Sequence, residues 1–215
     1  MRVDAERNRQ LLLAAACEAF VEMGPHAPLD SIARRAGVGI GTLYRHFSGR
    51  SALLRAVAED VVTRTSAAAR AALAEEPTGF DALRRYLHDA LDVGIAVMNR
   101  IHGEIEKDAE YRGWANAATD GLRQIIDRAR DEGTLRPGAE FADVSLVLVR
   151  FATPIGSGFD PELERPLAHR HLDIYVDGLR AGNRQAAADI NSTGAAPLPA
   201  ETALSLQRLQ RMGGR

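Results

Sequence analysis

Apolar residues recur along most of this chain at helical spacing, and the rhythm fails where glycine and proline stand. Leu12, Ala15, Ala16, Ala19 and Phe20 share one face of a helix predicted over residues 4–23, which Gly24 and Pro25 stop. Leu29, Ile32, Ala33 and Ala36 then fall at i, i+3, i+4 and i+7, so a short second helix is expected, ended by Gly37 in the left-handed conformation. A third begins almost at once. Gly39 is a permissible N-cap, and from Ile40 onward Leu43 and Phe47 share a face while Thr42, Arg45 and His46 project elsewhere. Two helices joined so tightly can cross steeply and present the second to a major groove.

Ser48 or Gly49 caps a longer helix striped by Leu53, Leu54, Val57, Val61 and Val62, which continues through alanines toward Pro77. Further helices are predicted over 80–99, over 102–110 as a short irregular one bounded by Gly103 and Gly113, and over 114–132, closed by Gly133. The last two differ from the rest. Residues 141–151 carry Val144, Leu146, Val147, Leu148 and Val149 on more than one side and call for burial all round, whereas 162–179 aligns Leu163, Leu167, Leu172, Tyr175, Val176 and Leu179. The fold class read from this pattern is all-α, with a three-helix head over 1–50, whose helix-turn-helix lies at about 29–48, and a helical body over 51–184. Residues 185–215 read as a disordered tail in preference to a short amphipathic helix over 202–209.

The segments Ile32-Ala33, Ala36-Gly37-Val38 and Gly41-Thr42-Leu43-Tyr44-Arg45-His46-Phe47, then Arg50 and Leu53, with Ala15-Ala16 and Phe20 to Gly24 upstream, resemble the TetR family of bacterial transcriptional regulators. The motif-level likeness covers about the first quarter of the chain; beyond it only the helical layout and the ending at 172–181 are similar. The resemblance implies a DNA-binding head on a ligand-binding and dimerisation body, with the two late helices of each subunit forming a four-helix dimer interface. The competing reading has those helices only closing the monomer core. By resemblance, Tyr44, His46 and Arg50 contact backbone phosphates and Thr42 a phosphate and a base, while Ile40 and Arg45 hold the sequence-reading positions. Arginine can grip guanine O6 and N7 for about 1–3 kcal/mol of discrimination, and isoleucine can pack on a thymine methyl. Arg7 and Arg9 add candidate phosphate or minor-groove contacts. Packing against the first helix is the alternative for Tyr44. Three positions depart from the family pattern: Pro28 and Gly39 replace hydroxyl N-caps, and Arg50 stands where lysine is common.

Charge sharpens this division. The chain of 215 residues has a formal net charge of −2, yet residues 1–55 hold eight arginines against five carboxylates, +3, leaving −5 for the rest. A basic head on an acidic body favours one orientation of approach to DNA. The single cysteine, Cys17, rules out an intramolecular disulfide and reads as a small buried apolar residue. No apolar run approaches the roughly 18 residues of a membrane span and no hydrophobic leader opens the chain, so a cytoplasmic location is expected. The G-x-S-x-G elbow, Walker loop, H-E-x-x-H and dinucleotide-binding glycine turn are absent, which points away from an enzyme and toward no cofactor or metal. His169 and His171 stand two apart and do not face each other. By coarse position in the body, Tyr86, Met98, Asn99, His102, Trp114 and Phe151 are candidates for an effector pocket, each with an ordinary core reading beside it. The expected function is a homodimeric repressor bound to a palindromic double-stranded DNA operator and released by a small-molecule effector. The alternatives are a constitutive architectural DNA-binding dimer without an effector, or a small-molecule binding protein with a vestigial head.

Overall fold

Apolar stripes and glycine stops divide the chain into helices much as the rhythm suggests. The computed structural model of the protein describes residues 2–106, 109–153 and 160–182. Among these residues the elements are helices alone: α1 (Arg2–Met23), α2 (Leu29–Arg35), α3 (Ile40–His46), α4 (Arg50–Glu75), α5 (Gly79–Val93), α6 (Ala96–Ile105), α7 (Ala109–Asp131), α8 (Phe141–Ala152) and α9 (Pro161–Leu179). The tail reading for 185–215 lies outside the described residues, as does the side chain of Trp114.

Helix α4 belongs to two cores. Its first half packs Leu53, Leu54, Val57 and Val61 into a cluster with Leu12, Ala16 and Phe20 of α1, Ile32 of α2, and Leu43 and Phe47 at the end of α3. Its second half gives Ala69 and Ala72 to a cluster with Phe80, Leu83 and Leu87 of α5, Ile125 of α7, Val144 of α8 and Leu172 and Val176 of α9. Between them the buried Thr65 hydroxyl donates to Val61 O at 2.6 Å, so no polar group is stranded in the middle of this spine. The body helices meet closely. A Cβ at Gly121 would stand 2.8 Å from that of Ala69, and one at Gly79 would overlap the Ala129 backbone.

Three expectations are corrected. The single helix read over 80–99 is broken at Gly94, which adopts φ 85°; its N–H bonds to Leu91 O at 3.1 Å and the next N–H, of Ile95, to Ala90 O at 3.3 Å. The chain then turns so that Val97, Ile101 and Ile105 of α6 pack into the core of the head, and the helix read over 102–110 dissolves into α6 and the start of α7. Helix α8 is not buried all round. Val144, Val147 and Leu148 are buried, but Leu146 is exposed, and Leu163 and Ile174 of α9 are exposed as well.

Charge ties α9 to α5. Arg84 Nη2 lies 2.7 Å from Asp173 Oδ1 and Arg165 Nη2 2.7 Å from Asp92 Oδ1. Between these pairs His88 Nδ1 and His169 Nδ1 are 2.7 Å apart, with His88 Nε2 3.1 Å from Asp173 Oδ1 and His169 Nε2 2.8 Å from Asp92 Oδ1. The Arg84 hydrogen bond holds the Asp173 carboxyl below its usual range, against partial burial and with help from His88. For Asp92 burial pushes upward, and the bonds from Arg165 and His169 together outweigh it and bring the carboxyl below its ordinary value.

Candidate nucleic-acid interface

The head presents α3 on a scaffold made by α1 and α2. Gly37, at φ 70°, ends α2: its N–H bonds to Arg34 O and that of Val38 to Ala33 O, both at 3.0 Å. Gly39 then starts α3 in an extended conformation without a side-chain cap, as Pro28 does for α2. Leu43 and Phe47 anchor α3 inward, which turns Ile40, Gly41, Tyr44 and Arg45 to solvent. Tyr44 is 55 % exposed and so does not pack as a core residue against α1. Its ring and hydroxyl are thus open to a partner that meets this face of α3.

Arginines serve two different purposes here. Arg35 of α2 forks onto Glu22 of α1, with Nη1 and Nη2 donating to its two oxygens at 2.8 and 2.6 Å, and so holds the Glu22 carboxyl below its usual range. Arg34 pairs with Asp30 at 2.9 Å. These two cations are occupied within the head. Arg45, on the exposed face, spends only Nε on Gly41 O at 3.3 Å, and its terminal nitrogens take no part in that bond. Arg7 is exposed on α1, whereas Arg9 is half-buried with its guanidinium carbon 5.7 Å from the centre of the Phe47 ring, bracing the end of α3. Thr42 and His46 are half-buried, the His46 ring lying 6.2 Å from that of Phe47. Arg50 is half-buried and engaged: its Nη1 donates to Pro25 O at 2.8 Å and to Ala27 O at 2.6 Å. The spacing of the motif gives no sign of this use of Arg50.

A cleft of about 620 Å³ opens where α1, α4, α5, α8 and α9 converge. Of the five pocket candidates whose side chains are described, only Phe151 lines it, together with Cys17, Arg64, Leu91, Arg150 and His171 among others. Tyr86 is buried in the second core, and that burial raises its phenol. Met98 packs on the first core, and His102 bridges to Tyr111 Oη at 2.9 Å. Asn99 lines a smaller recess of about 280 Å³ with Val21, Ala96, Arg100 and Thr153. Cys17 is half-buried at the edge of the cleft, its Sγ 3.7 Å from Gly94 O, and burial pushes the thiol up to about 11, which suits a packing role. A signal for the His88 and His169 pair was available. Each has an aspartate four residues on, Asp92 and Asp173, and two such i, i+4 pairs on helices running in opposite directions can interlock.

Residues 12–57 match the family described as Bacterial regulatory proteins, tetR family. The chain is similar to the HTH-type transcriptional activator FasR of Mycolicibacterium smegmatis, 31% identical over 157 residues that cover 69% of this chain and 71% of FasR. It is also similar to the HTH-type transcriptional repressor LfrR of the same organism, 28% identical over 181 residues covering 82% of this chain and 90% of LfrR. Among solved structures, the TetR transcriptional regulator SCO0520 from Streptomyces coelicolor superimposes with a TM-score of 0.58 at 32% identity, covering 81% of this chain and 99% of that one. A further structure of the same fold, with a TM-score of 0.57, is LfrR in complex with proflavine.

Proposed function

Because the chain belongs to the TetR family of bacterial transcriptional regulators, we propose that it is a homodimeric cytoplasmic repressor, bound to a palindromic operator and released when a small molecule fills the cleft. The observation that carries the reading is the exposed face of α3, where Ile40, Tyr44 and Arg45 stand clear of a core that fixes the helix from behind. Residues 1–50 serve as the DNA-binding head and residues 51–184 as the responsive body. Tyr44, His46 and Thr42 hold phosphates, Arg45 reads a guanine, Ile40 meets a thymine methyl, and Arg7 and Arg9 extend the contact along the backbone.

Dimerisation is supported by the uncovered apolar side chains Leu146, Leu163 and Ile174 on α8 and α9, which a second copy would bury. Two recognition helices must then sit roughly 34–36 Å apart, one turn of DNA, to engage both half-sites. The cleft supports the effector reading because Arg64 of α4 is in its wall and α4 runs back to the head. A ligand that binds better when α4 is displaced changes the spacing of both reading helices together. A coupling of about 1–3 kcal/mol alters operator occupancy 5- to 150-fold. LfrR, solved with proflavine, is a precedent for small-molecule binding among similar proteins.

Selection of fragments from random and genomic DNA by the purified protein at near-physiological salt, followed by sequencing, tests the DNA half of this reading. An enriched palindrome is expected; weak, salt-sensitive binding without enrichment would favour the architectural alternative. Thermal shift with a small-molecule library tests the other half, since a ligand specific to the native cleft must raise the melting temperature.

A further inference from the structure

We propose that Arg50 is a positioning residue that fastens the two ends of the helix-turn-helix unit to each other, so that α4 carries the reading helix as a rigid body; this rests on the DNA-binding reading above. The unit lies between two points of the chain. It begins at the turn through Pro25 and Ala27, just ahead of α2, and it ends at Gly49, just ahead of α4. The Arg50 guanidinium joins these points directly, with Nη1 bonded at 2.8 and 2.6 Å to the carbonyls of Pro25 and Ala27. Ala27 is 1 % exposed. A carbonyl beside so buried a side chain is poorly served by water, and a cation is a strong donor to give it.

The caps around this unit make the clamp matter. Neither Pro28 at the start of α2 nor Gly39 at the start of α3 nor Gly49 at the start of α4 supplies a side-chain cap, so none of the three turns is pinned by a local bond of that kind. Gly49 is also the residue between α3 and α4 with φ 153°, a joint that could swing. Arg50 spans that joint and returns to the turn before α2. When α4 shifts, the turn before α2 and the turn after α3 move together, and α2 and α3 keep their mutual packing through Ile32, Leu43 and Phe47. Without the clamp, the same shift would pass through the Gly49 joint and leave α3 lagging.

A phosphate contact and a clamp predict different things, because phosphate contacts set the salt dependence of binding and positioning sets the preference for the right sequence. The full-length protein, Arg50→Met and Arg50→Lys are compared on the operator from the fragment selection and on a scrambled duplex of equal length, each across a salt series. Backbone amide exchange of the three proteins without DNA is measured alongside. For Arg50→Met, operator affinity is expected to fall about 10- to 100-fold, with scrambled binding and the salt slope of the operator complex unchanged. Amide exchange in α2 and α3 should rise together while α5 and α7 keep their protection. Arg50→Lys, with the charge but a shorter reach, should also exchange faster than wild type in α2 and α3. Equal losses on both duplexes with a slope reduced by about one would make Arg50 a phosphate contact only, and unchanged exchange in α2 and α3 would remove the clamp. If the wild-type protein selects no operator, the DNA-binding reading fails, while the exchange comparison still decides whether Arg50 holds the unit together.

Discussion

Substituting Gly94 by alanine perturbs the joint between α5 and α6 in two separable ways. The residue sits at φ 85°, where an L side chain costs about 1–2 kcal/mol. The new Cβ would also stand 2.9 Å from Cys17 Sγ on α1, and crowding of that sort in a packed region costs about 1–3 kcal/mol. Gly94→Ala alone should therefore destabilise the protein by about 2–5 kcal/mol. Cys17→Ala alone removes one partly buried sulfur and should cost about 1 kcal/mol. In the double variant the crowding disappears and only the backbone strain and the lost sulfur remain, about 2–3 kcal/mol, so the two changes should couple favourably by about 1–3 kcal/mol. Urea unfolding followed by circular dichroism measures all four proteins, at one fixed protein concentration because the stability of the proposed dimer depends on it. Additivity within about 0.5 kcal/mol would refute the reasoning, since it would mean that Cys17 does not occupy the space the methyl needs.

Gly79→Ala drives a methyl into the Ala129 backbone, which cannot swing aside, and should lower stability by about 3 kcal/mol; Gly121→Ala meets only the Ala69 methyl and should cost less, both read from urea midpoints. Arg45→Ala should relax preference at one base pair by about 1–3 kcal/mol in competition binding, whereas Tyr44→Phe should weaken all duplexes alike. Ile174→Glu places a charge on the uncovered face of α9, 63 % exposed in the single chain, and should shift sedimentation from dimer to monomer without unfolding the protomer. Asp92 and Asp173 have folded pKa values below the unfolded range of about 3.9. Their contribution is present above that value and is lost as pH falls below about 4, so Asp92→Asn/Asp173→Asn should flatten the acid limb of the stability curve measured by thermal unfolding.

The head was legible because its rules are local. Gly37 ends α2 and Gly39 opens α3 through backbone geometry confined to a few neighbours, and the inward pair Leu43 and Phe47 follows from helical period alone. The α5 to α6 break was not. Residues 80–99 read as one helix, whereas the chain turns at Gly94 and brings Val97, Ile101 and Ile105 into the first core beside α1, a packing between elements far apart in sequence. The cleft was illegible for a related reason, since its wall is assembled from five helices and most of its residues, such as Arg64 and Arg150, are unremarked in sequence. Arg50 illustrates a third case. Its charge and place suggested an anion, and the carbonyls that it holds lie over twenty residues away along the chain.

The contacts between α5 and α9 run in series. Asp173, His88, His169 and Asp92 make three successive contacts, and each of the two carboxylates at the ends is also held by an arginine, Arg84 or Arg165. Asp92 stands in the wall of the cleft as well, so the last link of the series and the space for a ligand share one carboxylate. Parting α9 from α5 must undo the whole series together, which makes this seam a latch with two settings and not a surface that slides by degrees.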